Sequence, residues 1–132
     1  MEFFLEMIPP TVTAQMHRVT VQHGHIRFYD TKELKAARAL FLEKLLPNRP
    51  ITPWEGPILL TVLWSFPTKT HKDGSFRITR PDTDNLQKLL KDCMTAAGYW
   101  QDDAQVCIEI VTKRWTRTKP GIRISIQKLE QK

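Results

Sequence analysis

The stretch PDTDNLQKLLKDCMTAAGYWQDDAQV, Pro81 to Val106, holds the clearest helix in the chain. Leu86, Leu89, Leu90, Cys93, Met94 and Ala97 fall at i, i+3, i+4, i+7, i+8 and i+11, one apolar stripe of helical period. Asp84 suits its N-cap and Gly98 the left-handed residue that ends it. Downstream, Ala104 to Trp115 sets Val106, Ile108 and Ile110 in alternation, and Ile122, Ile124 and Ile126 alternate with Arg123, Ser125 and Gln127. Period two predicts strands, and the two are expected to form a terminal antiparallel pair.

Upstream, Ile58 to Phe66 (ILLTVLWSF) is almost continuously apolar, as in a strand buried on both faces. Pro67 to Pro81 is polar and basic, with turn composition and a hairpin-permitting Gly74. Pro47 to Pro57 is a proline-rich connection, too short to separate folded domains. Before it, Leu34, Ala37, Phe41 and Leu45 recur at helical spacing behind a capping pair, Asp30 and Glu33. Val19 to Tyr29 predicts a hairpin around Gly24, and Glu2 to Ile8 a first strand stopped by Pro9-Pro10. Strands and helices mix without a regular βαβ rhythm. The expected class is α+β, a single domain over 1–132 with a mixed sheet and two main helices.

Composition narrows the function. With 132 residues, 41% hydrophobic and 26% charged, the chain has the composition of one globular domain. Lysine and arginine total 20 against 14 acidic residues, and the net charge of +6 favours a polyanionic partner. No apolar run reaches the ~18 residues of a membrane span. The opening MEFFLEMIPP carries Glu2 and Glu6 and no basic n-region, so a secretory signal is not expected. Two cysteines, Cys93 and Cys107, make no disulfide scaffold, and the expected location is cytoplasmic.

Asp82 and Asp84 stand at the entrance of the Pro81–Val106 helix, Asp102 and Asp103 just past its exit. Crowded carboxylates repel, and a hard divalent cation such as Mg2+ resolves the repulsion through oxygen ligands. For both pairs to share a site, the chain after Gly98 has to turn back along the helix. Lys88, one turn beyond Asp84, is placed to offset carboxylate charge or meet a phosphate. The plainer reading makes Asp84 a cap, Asp102-Asp103 a turn and Lys88 a surface partner of Asp84 and Asp92. Spacing alone leaves both open.

The same residues resemble the signature of the RusA family of Holliday junction resolvases: D-x-D-N, L-x-K one turn later, a helix closing in A-G and two aromatics, then D-D-A-Q-V. Every element is present here in order, over about a fifth of the chain. The proline pair Pro9-Pro10 is a weaker match, and Thr11 to Ala14 departs from the asparagines and basic or aromatic residues usual after it. The resemblance implies a homodimeric, Mg2+-dependent endonuclease (Mn2+ substituting) that resolves four-way DNA junctions by paired symmetric nicks in recombination and repair. Carried over, the catalytic and metal-holding aspartates are Asp82, Asp84 and Asp103, the catalytic lysine Lys88, and Asp102 has an accessory role at best. The alternatives are a flap- or fork-selective nuclease and a catalytically silent junction-binding protein.

Two basic clusters are candidate phosphate contacts: Lys69, Lys72, Arg77 and Arg80, and Lys113, Arg114, Arg117 and Lys119. Phe76 is either an aromatic wedge or sheet packing. His17 and Arg18 are weaker phosphate candidates. His17, His23, His25 and His71 lack cysteine pairs at zinc spacing, which argues against a zinc site. Trp54, Trp64, Trp100, Trp115 and Cys93 read as packing.

Overall fold

The structure, a computed structural model, describes residues 1–12, 17–22 and 24–131, with residues 17–22 and 25–29 described as backbone only. Strand β1 (Glu2–Glu6) is followed by the hairpin β2 (His17–Gln22) and β3 (His25–Asp30), which turns at Gly24 with φ 77°. Helix α1 (Lys32–Leu45) follows, then β4 (Ile58–Pro67), α2 (Thr83–Ala97), β5 (Val106–Thr116) and β6 (Gly121–Lys128). The α+β class with a mixed sheet and two main helices holds.

Helix starts differ from the sequence reading by one or two residues. Thr31, not Asp30, caps α1, accepting a hydrogen bond from the Leu34 amide at 3.2 Å. Asp30 instead ends β3 and pairs with Arg38 at 3.0 Å. The N-cap of α2 is Asp82 rather than Asp84, and Gly98 closes the helix at φ 90° as expected.

The main sheet runs β1-β6-β4-β5. Only β4 and β5 are parallel, and α2 is the connection between them. The expected β5–β6 pair therefore does not form: β6 lies antiparallel to both β1 and β4, and β4 separates it from β5. A helix-long connection permits parallel pairing where a tight turn does not, and the chain contains one βαβ unit after all.

Burial fixes the layers. Ile58, Leu60, Val62, Trp64 and Phe66 of β4 are buried in one cluster with Ile122, Ile124 and Ile126 of β6 and the stripes of α1 and α2. The alternate β4 residues are only half-buried, so β4 is buried on one face rather than two. Helices cover one side of the sheet; on the other, among the described residues, the β4 side chains are half-buried and Ile108 and Ile110 of β5 are exposed. Trp64 and Trp100 lie in the core, and Trp54 and Trp115 pack against it. Polar groups inside are satisfied: Tyr99 Oη donates to the Leu45 carbonyl at 2.6 Å, and Trp64 Nε1 donates to Gln87 Oε1 at 2.7 Å.

Candidate active site

The approach to α2 is held from the sheet side. Lys113, on the helix-covered face of β5 opposite Trp64, donates through Nζ to the carbonyls of Thr79 at 2.8 Å and Pro81 at 2.7 Å. Arg77 donates through Nη2 to the Arg80 carbonyl at 2.6 Å and through Nε to Thr79 Oγ1 at 3.1 Å. Its guanidinium lies over the rings of Phe66, 4.3 Å away, and Trp115, 4.6 Å away. Burial lowers the Arg77 pKa. Burial also lowers that of Lys113, with Arg77 adding to the effect and Asp82 opposing it. Three successive carbonyls, 79 to 81, are thus bracketed by two cations immediately before Asp82.

Asp82 occupies the N-cap position with extended backbone, yet its side chain makes no capping hydrogen bond. An N-cap aspartate ordinarily accepts from the second or third helical amide; here the exposed carboxylate is left for other work. Asp84 sits exposed in the first turn, where the helix dipole favours its charge. It lines a cleft of about 250 Å3 with Thr83, Gln87, Lys91, Glu109 and Val111. Lys88 is exposed, its Nζ 3.8 Å from Asp92.

The cleft floor was not legible in the sequence. Gln87 is 2% exposed and bridges the core to the surface, accepting from Trp64 and donating through Nε2 to Glu109 Oε2 at 2.7 Å. Lys91 Nζ lies 3.2 Å from the other Glu109 oxygen. The available signal was a lone acid between two isoleucines on β5, and a glutamine beside the apolar stripe.

Asp103 lies elsewhere. Strand β5 begins beside the C-terminal end of α2 and runs back toward its start, and Asp103 opens a short 3-10 turn, Asp103–Gln105, before β5. The 15 residues of α2 span about 22 Å, so one protomer keeps Asp103 at the far end from Asp82 and Asp84. Among the described residues no group of three or more histidine, cysteine, aspartate or glutamate side chains is placed to hold a metal ion. Asp102 acts locally, its Oδ1 accepting from the Ala104 amide at 2.9 Å in a capping box with Gln105. Gln105 Nε2 then ties the turn to the carbonyls of Trp54 at 2.9 Å and Gly56 at 3.0 Å.

The two basic clusters meet where Arg114 and Arg117 bind the 71–74 turn. Arg117 Nε donates to the His71 carbonyl at 2.8 Å, its amide to Asp73 Oδ1 at 2.8 Å, and Arg114 Nη1 to the Gly74 carbonyl at 2.7 Å. Arg77 and Lys113 turn inward, to the carbonyls before Asp82. Lys119 stands apart, 3.7 Å from Glu6. Lys69, Lys72 and Arg80 are exposed, without a side-chain hydrogen bond or ion pair to the described residues. Phe76 is 64% exposed, with the Arg114 guanidinium 4.2 Å from its ring centre. The side chains of His17, Arg18, His23 and His25 lie outside the described residues.

The parallel βαβ unit opens α2 on a D-x-D-N turn and closes it on D-D-A-Q, which sets a carboxylate pair at each end of the helix on a basic domain. A family model described as "Endodeoxyribonuclease RusA" matches residues 8–127. The chain is 32% identical over 133 residues to the crossover junction endodeoxyribonuclease rusA of Lactococcus phage r1t, covering 95% of this chain and 94% of that one. It is 63% identical over 27 residues to the crossover junction endodeoxyribonuclease RusA of Escherichia coli K12, covering 20% of this chain and 22% of that one, and matches the Shigella sonnei protein of the same name equally. The chain belongs to the RusA endodeoxyribonuclease family.

Proposed function

We propose that this endonuclease resolves four-way DNA junctions by paired, symmetric nicks, with Asp82, Asp84 and Asp103 holding a divalent cation and Lys88 beside it. The observation that carries the reading is the Asp82 carboxylate, set at a helix entrance by a braced segment and not used as a cap. Exposed carboxylate oxygens are hard donors that suit Mg2+ and admit Mn2+. When bound, such a cation supplies water activation and charge neutralisation at a phosphodiester.

The residues of the chain do the rest. Asp82 and Asp84 would fix the cation relative to α2, and the Lys88 ammonium stabilises charge developing on the reacting phosphate. Lys69, Lys72 and Arg80, all exposed, hold the DNA arms by phosphate contact. Phe76, exposed beside Arg114, serves as a wedge at an opened junction. DNA-acting chemistry of this kind, on a chain in which no helix is long and apolar enough to cross a membrane, fits the cytoplasm.

The position of Asp103 supports a homodimer as the functional unit. One protomer cannot bring Asp103 to Asp82, so a shared site draws its Asp103 from a second copy. An isologous dimer then carries two equivalent sites, which matches the approximate two-fold symmetry of a four-way junction.

The test is a nicking assay on a mobile four-way junction with Mg2+ or EDTA, alongside flap and three-way substrates. Mg2+-dependent paired nicks, lost in Asp82→Asn, are expected. Junction binding without cleavage under any divalent metal would favour the silent binder, and preferential flap cutting the fork-type nuclease. Mixing inactive Asp82→Asn with inactive Asp103→Asn tests the shared site. Dimers that exchange subunits regain one intact site, whereas a site built within one chain stays dead in the mixture.

A further inference from the structure

We infer that Gln105 is the positioning residue of the Asp103 carboxylate, its side-chain amide clamping the turn that carries Asp103 onto the proline-rich connection before β4. The inference rests on the reading that Asp103 holds the cation, and adds what fixes that carboxylate in place.

Asp103 does not hold itself. Its side chain makes no hydrogen bond or ion pair to the described residues. It opens a turn of three residues, and 3-10 turns have poorly aligned hydrogen bonds. The backbone bonds of this turn, from the Gln105 amide to the Asp102 carbonyl at 3.0 Å and from the Val106 amide to the Asp103 carbonyl, stay inside it. They give the turn its shape, not its place against the rest of the domain. The Asp102 cap on Ala104 is equally local.

Gln105 supplies the place. Its Oε1 accepts from the amides of Gln101 at 3.0 Å and Asp102 at 3.1 Å. Its Nε2 donates to the carbonyls of Trp54 at 2.9 Å and Gly56 at 3.0 Å. A primary amide offers two donors and two acceptor positions, and here every one is filled. One half grips the chain as it leaves α2. The other reaches residues 51 and 49 positions away in sequence.

The far anchor is itself fixed. The Trp54 amide donates to the Tyr99 carbonyl at 3.0 Å, and the Leu129 amide to the Pro57 carbonyl at 2.9 Å. Pro47, Pro50, Pro53 and Pro57 restrict the connection further. Gly56 takes φ 79°, and the chain curls so that carbonyls 54 and 56 converge on one nitrogen. The connection, too short to separate domains, serves instead as the abutment of the Asp103 turn.

The clamp acts on the site more than on the fold. Tyr99 and Trp100, 0% and 1% exposed, seal the end of α2 whether or not Gln105 keeps its amide. What the amide governs is the short run beyond them, 101–105. A metal-holding group has to be placed to within roughly 0.5 Å, so loosening this run costs metal affinity first.

The experiment compares wild type with Gln105→Met, which keeps the side-chain length and removes all four hydrogen bonds. Gly56→Ala disturbs the same bonds from the other side, by straining a left-handed residue. In metal-free Gln105→Met, the Gln101 and Asp102 amides are expected to lose their protection from hydrogen exchange. Equilibrium Mn2+ binding is expected to weaken roughly 10- to 100-fold, and nicking to need correspondingly more Mg2+. Junction affinity in EDTA and the rate at saturating metal are expected to stay as in wild type. The double variant is expected to bind Mn2+ no more weakly than Gln105→Met alone, since both changes act on one pair of bonds. Unchanged Mn2+ affinity in Gln105→Met overturns the clamp. So does a rate lost equally at every metal concentration together with a lowered urea midpoint, which makes Gln105 a support of the fold. Should Gln105→Met fail to fold, the Mn2+ titration of Gly56→Ala decides. If Asp103→Asn weakens Mn2+ binding and Gln105→Met does not, only the clamp has failed; if Asp103→Asn leaves binding and nicking intact, the reading of Asp103 has failed with it.

Discussion

At the residue scale, charge alone does not say which basic side chains meet DNA. Lys113 and Lys72 are both lysines of a basic surface in the sequence, yet the structure gives them opposite surroundings. Lys113 spends its ammonium on the Thr79 and Pro81 carbonyls, and Asp82 favours its charged form. Lys72 stands exposed. Lys113→Met is expected to lower the single-turnover nicking rate roughly 10- to 100-fold, the range seen when partners that orient a metal ligand are removed. Junction affinity and its salt slope are expected to stay as in wild type, with the metal needed for half-maximal rate raised. Lys72→Ala is expected to do the reverse: a weaker junction complex, a log–log salt slope shallower by about 0.9, and an intact rate once the junction is saturating. Binding titrations across salt and single-turnover rates across metal concentration separate the two. Equal losses of binding in both variants would return Lys113 to the phosphate contacts. Asp82→Asn is expected to abolish cleavage while leaving metal-free junction affinity equal or tighter, since an anion facing phosphate is removed. A clear loss of metal-free affinity would make Asp82 a support of the fold instead.

At the element scale, what was legible in the sequence follows from what is local. Helix α2 was readable from Leu86 to Gly98 because its stripe and its left-handed terminus are set within one turn of chain. Strands β5 and β6 were readable as strands, but not their partners: period two says which face is buried and nothing about which neighbour lies alongside. The same limit hid the place of Asp103, since the residue sits where β5 starts and only the β4–β5 pairing says where that is. The braced segment before Asp82 and the Gln87–Glu109 link were hidden for a related reason, as they join residues more than 20 apart in sequence. The β1–β6 pair shows how strictly one such contact is enforced. Gly121 pairs with Glu6, and a Cβ there would collide with the Phe4 ring and the Leu5 carbonyl. Gly121→Ala is therefore expected to destabilise the domain by about 1–3 kcal/mol, the usual cost of overpacking. Urea denaturation measures this, and a change within about 0.5 kcal/mol, the range of an ordinary surface substitution, would mean that β1 moves away freely.

For the whole molecule, buried ionisable groups set the alkaline limit of the fold. Burial pushes the Cys93 thiol up to about 11 from 9.0, with Arg38 pulling it down and Asp92 pushing it further up. Tyr99, with its hydroxyl on the Leu45 carbonyl, is raised above its ordinary 10.0, again chiefly by burial. Both shifts have the same sign. The unfolded chain gives up these protons before the folded one does, so the stability Cys93 represents is complete below about pH 9 and is lost as pH rises toward 11, while that of Tyr99 is complete up to about pH 10 and is lost at still higher pH. One proton corresponds to roughly 1.4 kcal/mol per pH unit, so Cys93 alone accounts for about 2–3 kcal/mol across its interval. Denaturation midpoints are expected to be flat from neutral pH to near 9 and to fall steadily above it. Cys93→Ala is expected to start lower, because it leaves a small cavity in the α2 stripe, yet to fall less steeply between pH 9 and 11. Parallel slopes in the two proteins would remove Cys93 from the account. This fall bears on catalysis as well. A loss of nicking above pH 9 that follows the denaturation curve belongs to the core, whereas a loss that persists where the domain is folded reports on the site.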